Sequence, residues 1–306
     1  MALATRGHDV SLALNGPVVH ARALSSMVKI AHTVFALPFA ASAVLLCLGR
    51  PHVPLSPGRA LALLVCMAAA RTAAMSFNRY LDRDIDRQNP RTREREIPTG
   101  KVSPRMALAL TFSAGALFVG AAATLGRWPA LLAPPVLAVL LGYSWTKHFT
   151  WASHFVLGLS LALAPGGAWI AMGARPEPAI VSLMVGVLTW TAGFDVLYSL
   201  QDESFDRAHH LHSIPSRFGT LTAVVVSAAL HGVTAVSLLA CGLWLGRGMA
   251  YHAGVALVVG LLVYEHALVG RGRLERIDRA FFDINGYISC GFLLLAAVDA
   301  WLLAAR

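Results

Sequence analysis

Residues 78–86, NRYLDRDID, and residues 201–207, QDESFDR, each follow a long apolar segment. Both give the pattern Asp-x3-Asp-Arg, whose arginine is Arg87 in the first case, and an Ile-Pro dipeptide follows each of them, at 97–98 and 214–215. Carboxylates four residues apart lie on the same face of a helix. At a separation of roughly 5.5 Å they repel by about 3 kcal/mol at an effective dielectric of 20, so a cation is expected between them. Because the chain has only 16 Asp and Glu residues, two such clusters beside apolar segments indicate a divalent-metal site.

The rest of the chain has the composition of a membrane protein. Its 306 residues are 57% hydrophobic and only 13% charged, and the mean hydropathy is +0.62. Apolar runs long enough to cross a bilayer exclude a soluble core, and they lack the alternation of barrel strands. The nine predicted spans are 27–49, 59–77, 105–126, 128–146, 152–174, 178–200, 220–245, 248–268 and 281–303. We therefore predict an all-α, polytopic membrane protein with nine transmembrane helices around a central cavity.

The basic residues predict how these helices are oriented in the cell (inner) membrane. With a cytoplasmic N-terminus, 18 Lys and Arg fall on the cytoplasmic side and 6 on the opposite side. Both acidic motifs then belong to long cytoplasmic connections, at about 79–104 and 201–219, which are expected to form a cap over the cavity. The net charge of +9 reflects this topology and attraction to anionic headgroups, so no nucleic-acid partner is expected.

We expect a single domain over residues 1–306. The two motif-bearing spans are four helices apart in sequence and therefore run parallel. This relation suggests a repeated four-helix unit, at 27–146 and 152–268, with the span 281–303 appended.

Two charged residues lie deeper in the apolar segments than the motifs do. Arg71 and Asp195 are each about two helical turns inside a predicted span. A charge at the bilayer centre costs roughly 2.5–3.5 kcal/mol and is seldom retained without a partner or a function. Helical spacing places Arg71 in line with Asn78, and Asp195 in line with Tyr198, on the acidic faces. Acidic residues at the end of a transmembrane helix commonly lie at the headgroups and need no functional explanation. Charged residues deeper in the span, such as Arg71 and Asp195, indicate a polar cavity with a function.

Lys147 ends the segment GYSWTK, residues 142–147, beside the same cytoplasmic face. Anchoring at the membrane surface explains most basic residues of such a chain, and it is the alternative role for Lys147. Next to clustered acids, Lys147 is expected to bind phosphate instead. The basic residues of the first long connection are expected mostly at solvent or headgroups: Arg83, Arg87, Arg91, Arg93 and Arg95.

These motifs resemble those of the UbiA family of intramembrane aromatic prenyltransferases. The resemblance rests on the Asn-x3-Asp-x3-Asp row at 78–86, the second Asp-x3-Asp at 202–206, the Tyr-x2-Thr-Lys piece at 143–147 and the number of helices. It covers essentially the whole chain. Arg79 departs from the family pattern, since many relatives carry Asp there, and this removes one acid while leaving the row intact.

Within the family, four stretches most resemble the 4-hydroxybenzoate-transferase-like members of the futalosine route to menaquinone. These stretches are 77–86, 95–98, 147–155 and 211–215. The resemblance implies Mg²⁺-dependent transfer of a polyprenyl group from polyprenyl diphosphate to a ring carbon of an aromatic quinone precursor. The implied acceptors are 1,4-dihydroxy-6-naphthoate and 4-hydroxybenzoate, and no protein partner is implied.

The resemblance also implies roles for the residues described above. The expected metal ligands are Asn78, Asp82, Asp86, Asp202 and Asp206. The expected diphosphate ligands are Lys147, Arg71 and Tyr143. The expected catalytic residues are Asp195, Arg71 and Tyr198, with Asp195 either removing the ring proton or orienting one of the other two.

Two alternatives stay open at this stage. The same fold can serve another acceptor, such as haem, chlorophyllide or glycerol phosphate. A divalent-cation transporter would also place acids in a membrane. Transport sites lie near the bilayer midplane on broken helices, whereas these acids lie at one face beside long basic connections, which favours the transferase.

Overall fold

The computed structural model describes residues 33–48, 53–269 and 277–305, together with residues 27 and 50, and these ranges are helical apart from short connections. The all-α prediction is confirmed. The long helices are α1 Thr33–Cys47, α2 Pro57–Gln88, α3 Pro104–Leu125, α4 Arg127–Thr146, α5 Ser153–Ala171, α6 Pro178–Tyr198, α9 Thr220–Trp244, α10 Met249–Val269 and α11 Ile277–Ala304. A 3-10 turn at Ser199–Asp202 and two short helices, α7 Glu203–Ala208 and α8 Ile214–Phe218, lie between α6 and α9.

Eight helices in the described ranges are long and apolar enough to cross a membrane. They correspond to the last eight predicted spans. The first predicted span, 27–49, contains α1, which has 15 residues and is shorter than the others. Residues 28–32 and 49 of that span lie outside the described residues, so the count of nine stays a prediction.

The structure differs from the predicted boundaries at both acidic motifs. The motif at 78–86 does not begin a loop, because α2 continues through it for 32 residues and ends at Gln88. The connection to α3 is therefore only 89–103. The second motif lies on no continuous helix, since α6 ends at Tyr198 and the chain tightens into the 3-10 turn before α7 begins.

Ser-Pro pairs begin two of the helices that carry or flank the site. The Ser56 hydroxyl accepts a hydrogen bond from the Arg59 N–H at 3.2 Å, and the Ser103 hydroxyl accepts one from the Met106 N–H at 3.2 Å. Each serine precedes a proline at the first helical position. An N–H at that position would have no acceptor within the helix, so proline, which has none, is well suited to it. These caps fix where α2 and α3 start.

The helices pack in two groups, which are joined by the packing of α5 against α6 and by α1. Helices α2 to α5 pack side by side, while α6, α9, α10 and α11 form a second group in which neighbours along the chain also pack together. Helix α1 packs on α5 and α11 and touches α2 little. The second group fills its interior with large, fully buried side chains, among them Trp190, Tyr251 and Phe292. The proposed four-helix repeat stays a prediction.

Connections 89–103 and 199–219 lie at the same end of the bundle, because Arg91 of the first contacts Asp202 of the second. We call this the motif end. The N-terminus of α2 and the C-terminus of α3 lie at the opposite end. The two acidic motifs therefore face one compartment, as their sequence positions predicted.

At Gly158 the backbone of α5 lies close to the backbone of α6. A Cβ atom there would lie 2.4 Å from the Leu188 carbonyl oxygen, a contact that real Cβ atoms do not make. We expect Gly158→Ala to force the helices apart and lower the melting temperature by several degrees, a loss of about 1–3 kcal/mol. Gly120→Ala is the matched control, since its Cβ would meet nothing within 4 Å. Thermal unfolding in detergent, followed by circular dichroism, measures both; equal melting temperatures would contradict the close approach.

Candidate functional site

The first acidic row lies on the last three turns of α2. Asn78, Asp82 and Asp86 follow one another at four-residue spacing, so their side chains lie on one face of the helix. Asp82 and Asp86 are 2% and 3% exposed. Burial of two carboxylates that close together requires compensating positive charge.

Lys147 supplies that charge to Asp82 from the end of α4. Its Nζ donates to Asp82 Oδ2 at 2.6 Å, and the Asn78 Nδ2 donates to the same oxygen at 3.0 Å. The other oxygen, Oδ1, is buried, and no group in the described part of the chain donates a hydrogen bond to it. His148 Nε2 lies 3.9 Å from Oδ1. Asp82 thus keeps one buried oxygen with capacity for a further positive ligand.

Asp86 is held by the connection that follows α2. Arg95 Nη1 donates to both carboxylate oxygens of Asp86, at 2.7 and 2.9 Å. Arg79, 2% exposed on the same helix, lies 4.0 Å from Glu96. The residue that departs from the family pattern is therefore a buried cation that contacts this connection through Glu96.

Asp202 of the second motif is bound by residues that follow the first motif. Arg91 donates from Nε to Asp202 Oδ1 at 3.0 Å and from Nη2 to Oδ2, a two-pronged contact, and the Asn89 amide donates to Oδ1 at 3.3 Å. Arg91 Nη1 also donates to the Tyr198 hydroxyl at 2.8 Å, with the guanidinium 5.1 Å from the ring centroid. Arg91 therefore joins Asp202 and Tyr198, two of the predicted site residues.

Asp206 lies in α7 and accepts a hydrogen bond from the Ser213 hydroxyl at 2.9 Å. Leu211, two residues before Ser213, is buried. The N–H of the intervening His212 donates a hydrogen bond to the Lys147 carbonyl at 2.8 Å. The backbone around Lys147 is thus fixed by the segment that holds Asp206. Because Lys147 also binds Asp82, this contact connects the two motifs, as the contact between Arg91 and Asp202 does.

Asp195 is paired with a histidine that the sequence analysis did not assign. His154 Nδ1 lies 2.6 Å from Asp195 Oδ2, and the Ile214 N–H points at His154 Nε2 from 3.3 Å. Because Nε2 accepts this hydrogen bond, the ring proton lies on Nδ1 and is donated to Asp195. His154 is 3% exposed and links α5, α6 and the start of α8. Its only sequence signal was its place in the stretch 147–155.

An apolar cavity of about 520 Å³ lies below the carboxylates, lined by helices α1 to α5. Its polar lining side chains are Arg71, Tyr143 and Ser160, and near the opposite end it is bounded by Leu55 and Leu125. The cavity thus leads from a basic and aromatic mouth towards the far end of the bundle. A lipid chain suits such a space, and an anionic headgroup suits its mouth.

The predicted site residues are brought to one end of the bundle, in three sets. Arg71 and Tyr143 line the cavity; Asn78, Asp82, Asp86 and Lys147 lie above them on α2 and α4; Asp195, Tyr198, Asp202 and Asp206 lie on α6 and the following turns. Two of the five arginines expected mostly at solvent or headgroups, Arg91 and Arg95, hold motif carboxylates instead. Their roles were missed because composition alone does not separate them from the other three.

The carboxylates do not form a ready-made metal cage. Within the ranges described above, no group of three or more His, Cys, Asp and Glu side chains is arranged to hold a metal ion. The available donors are nevertheless hard oxygens, as Mg²⁺ prefers, and Asp82 Oδ1 is a buried oxygen without a hydrogen bond from the described residues. The residues therefore fit a Mg²⁺ ion that receives its remaining ligands from a bound substrate.

Fold and site together define a polytopic membrane protein with a cluster of charged side chains above an apolar cavity. Residues 36–291 match the UbiA prenyltransferase family, and the chain belongs to this family. It is a prenyltransferase, as predicted, and the cation-transporter alternative is set aside.

Relatives in bacteria and archaea agree with this assignment. The 4-hydroxybenzoate octaprenyltransferase of Methylococcus capsulatus is 27% identical over 254 residues, covering 83% of this chain and 85% of the relative. That of Azoarcus sp. is 31% identical over 217 residues, covering 70% and 75%. The apo structure of a UbiA homologue from Aeropyrum pernix K1 has a TM-score of 0.78 at 30% identity, covering 90% of this chain and 98% of that one. An Archaeoglobus fulgidus homologue bound to GPP and Mg²⁺ has a TM-score of 0.69 at 18% identity, covering 91% and 99%, and shares the fold.

His154 provides a test of how the second half of the site is held. We expect His154→Ala to remove the contacts to Asp195 and to the Ile214 N–H, a loss of about 1–3 kcal/mol for the buried partners left behind. The segment 209–215 should then be cleaved faster by a protease added to the motif side. Limited proteolysis with mass spectrometry measures this, with His252→Ala near the opposite end of the bundle as the control. Unchanged cleavage of 209–215 would contradict the linking role.

Proposed function

We propose that this protein transfers a polyprenyl group from polyprenyl diphosphate to a ring carbon of an aromatic quinone precursor, with Mg²⁺. The observation that carries the proposal is the joining of two carboxylate rows and several basic residues at the mouth of an apolar cavity. The apolar lining suits a polyprenyl tail, and the charged mouth suits its diphosphate.

The metal would be held by the oxygens of the two rows: Asn78, Asp82, Asp86, Asp202 and Asp206. When bound, Mg²⁺ offsets the repulsion between carboxylates and diphosphate and stabilises the negative charge that develops on the leaving group. The Archaeoglobus fulgidus homologue bound to GPP and Mg²⁺ supports this assignment. It shares the fold, and its ligand pair matches the chemistry of these residues.

Lys147, Arg71 and Tyr143 are proposed to bind the diphosphate. Lys147 lies against Asp82, so a phosphate held beside that carboxylate would meet its ammonium group. Arg71 and Tyr143 line the cavity, where the apolar part of the substrate begins. Positive charge there favours departure of the diphosphate more than it favours binding of the intact substrate, which is how it lowers the barrier.

Departure of the diphosphate leaves an allylic cation on the prenyl group. Tyr143 is better placed than Tyr198 to face this cation. The Tyr198 ring already carries the Arg91 guanidinium 5.1 Å from its centroid, whereas Tyr143 lines the cavity. A cation over an aromatic face gains about 0.5–2 kcal/mol. We therefore assign Tyr198 to holding Arg91, and Tyr143 to the cavity wall.

Asp195 is proposed as the base that removes the ring proton. Asp82, Asp86 and Asp202 are each paired with a Lys or Arg side chain. The partner of Asp195 is a neutral histidine that donates one hydrogen bond. The Asp195 side chain is 26% exposed, so an acceptor ring can reach it.

The relatives and the sequence resemblance support an aromatic quinone precursor as the acceptor. The curated relatives are named 4-hydroxybenzoate octaprenyltransferases, while four stretches resemble members of a menaquinone route that uses 1,4-dihydroxy-6-naphthoate. Both acceptors are hydroxylated aromatic carboxylates. We also propose that the motif end faces the cytoplasm, because the excess of basic residues lies on that side.

Asp82→Asn and Asp202→Asn test the carboxylate rows. Each removes one charge while keeping the shape of the side chain, so we expect prenyl transfer to fall by at least about 100-fold with the protein still in the membrane. Asp84→Asn is the matched control, because Asp84 lies on the same helix but is exposed and contacts only Arg83, at 3.4 Å. Transfer of labelled prenyl diphosphate to acceptor is the measurement. Near-normal activity in either motif variant would overturn the assignment.

The acceptor is tested with the purified chain, Mg²⁺ and a polyprenyl diphosphate. We expect prenylated product with 1,4-dihydroxy-6-naphthoate or 4-hydroxybenzoate, identified by mass spectrometry, and none after chelation of the metal. Haem, chlorophyllide and glycerol phosphate serve as the competing acceptors. Product from one of these alone would refute an aromatic quinone precursor as substrate.

A further inference from the structure

His154 is a buried polar residue in direct contact with the proposed base. It is 3% exposed and lies in the first turn of α5, and its two ring nitrogens contact two other elements. Nδ1 donates to Asp195 Oδ2 on α6 at 2.6 Å, and Nε2 accepts a hydrogen bond from the Ile214 N–H of α8 at 3.3 Å. A neutral imidazole has one donor and one acceptor at a fixed separation, so it sets the position of each partner relative to the other.

The contact with Asp195 fixes the direction of its carboxylate. Only Oδ2 takes part in the hydrogen bond with His154, and the Asp195 side chain is 26% exposed. A carboxylate that is held through one oxygen keeps a defined direction for the other, through which it can accept a proton from a bound ring. His154 therefore controls where the base points without touching the substrate itself.

The contact with Ile214 holds the start of α8. Ile214 is the first residue of this helix, so its N–H has no acceptor within the helix and needs one outside it. Ser213, the N-cap residue, accepts a hydrogen bond from the Ser216 N–H at 3.3 Å and donates one to Asp206 Oδ2 at 2.9 Å. His154 thus fixes the backbone from which Ser213 reaches Asp206.

We propose that His154 is a positioning residue, which orients Asp195 towards the acceptor ring and fixes its place relative to Asp206. This inference rests on the proposed function, in which Asp195 takes the ring proton. By that step the diphosphate has left with the electron pair of the C–O bond, and the prenyl carbon has bonded to the ring carbon. The C–H bond of this ring carbon then breaks, its proton goes to Asp195, and its electron pair restores the aromatic ring.

Such a step depends strongly on the position of the carboxylate. A general base must lie within about 2.6–3.2 Å of the group that gives up the proton, and a displacement of about 1 Å can cost roughly 100-fold in rate. Asp195 lies on α6, whereas Asp206 lies on α7, beyond the 3-10 turn that interrupts the helix. His154 contacts the elements on both sides of this interruption, so the base and the second carboxylate row keep one spacing.

Asparagine and glutamine at position 154 separate the two contacts. The amide nitrogen of Asn can take the place of Nδ1 and donate to Asp195, but the side chain is too short to reach Ile214. The amide of Gln can take the place of Nε2 and accept the Ile214 N–H, but it offers Asp195 no donor in the place of Nδ1. His154→Asn therefore keeps the direction of the base, and His154→Gln keeps the start of α8.

His210→Asn is the matched control on the same connection. His210 is exposed, and its φ of 55° lies in the left-handed region, which Asn tolerates. The substitution therefore removes a histidine from the 199–219 connection without straining the backbone. We expect it to behave as the unmodified protein in both measurements below.

The first measurement is prenyl transfer by the purified full chain in nanodiscs, with Mg²⁺ and a polyprenyl diphosphate. The acceptors are 4-hydroxybenzoate and 1,4-dihydroxy-6-naphthoate, each with ring hydrogen and with ring deuterium. In the unmodified protein and in His154→Asn we expect proton removal to be fast, so that both isotopic forms react at the same rate. His154→Gln should lower kcat at least about tenfold, with KM changed less than about threefold, and show a primary isotope effect because proton removal now limits the rate.

The second measurement is hydrogen–deuterium exchange of the backbone amides of 209–215, without substrate. Exchange should rise at least about tenfold in His154→Asn, which loses the contact with Ile214, and should stay within about threefold in His154→Gln. The two variants are thus expected to exchange roles between the two measurements. An isotope effect of equal size in both, or a rate that falls only where exchange rises, would give His154 a purely structural role and overturn the inference.

These outcomes separate the inference from the proposed function. If the unmodified protein prenylates an aromatic acceptor and His154→Gln shows no isotope effect, the function stands and the inference is rejected. If the unmodified protein prenylates neither aromatic acceptor, the proposed function is rejected together with the base that His154 would position.

Discussion

The structure depends on keeping buried carboxylates and basic side chains in balance at one end of an apolar bundle. Asp82 and Asp86 are almost fully buried four residues apart, a geometry that is unfavourable without positive partners. Lys147 comes from α4 and Arg95 from the connection after α2, so the balance is met only when these elements pack together. Charge compensation therefore sets the positions of α2 and α4 and the course of the 89–103 connection.

The same balance joins the two halves of the chain. Arg91 follows the first motif but binds Asp202 of the second, and the backbone of Lys147 is held by the segment that leads to Ser213. The contact between Arg91 and Asp202 connects residues 111 positions apart. A site built in this way is sensitive to any ligand that changes its charge, which is a useful property in an enzyme with an anionic substrate.

Much of the fold could be predicted from the sequence, because membrane spans are determined by long apolar runs. Most of their boundaries agree with the helices within a few residues, but α2 continues through the first acidic motif to Gln88. The acidic rows were also predictable, since helical spacing puts Asp82 and Asp86 on one face. The side chains that bind these carboxylates could not be predicted. Arg91 and Arg95 are two of several arginines in one connection, and only tertiary structure distinguishes them from Arg93. His154 was equally hidden, because a lone histidine at the start of an apolar helix has no local pattern that reveals its contact with Asp195.

Helix α2 is longer than a bilayer requires. Its 32 residues extend about 48 Å, against about 30 Å of hydrocarbon, and the surplus lies at the end that carries Asn78, Asp82 and Asp86. On a bilayer of that thickness, we expect the acids at the level of the phospholipid headgroups and the cavity beneath them among the acyl chains. A substrate with a polar head and an isoprenoid tail could then enter sideways from the leaflet. Its tail would stay in the hydrocarbon region and its charged head would stay at the depth of the headgroups.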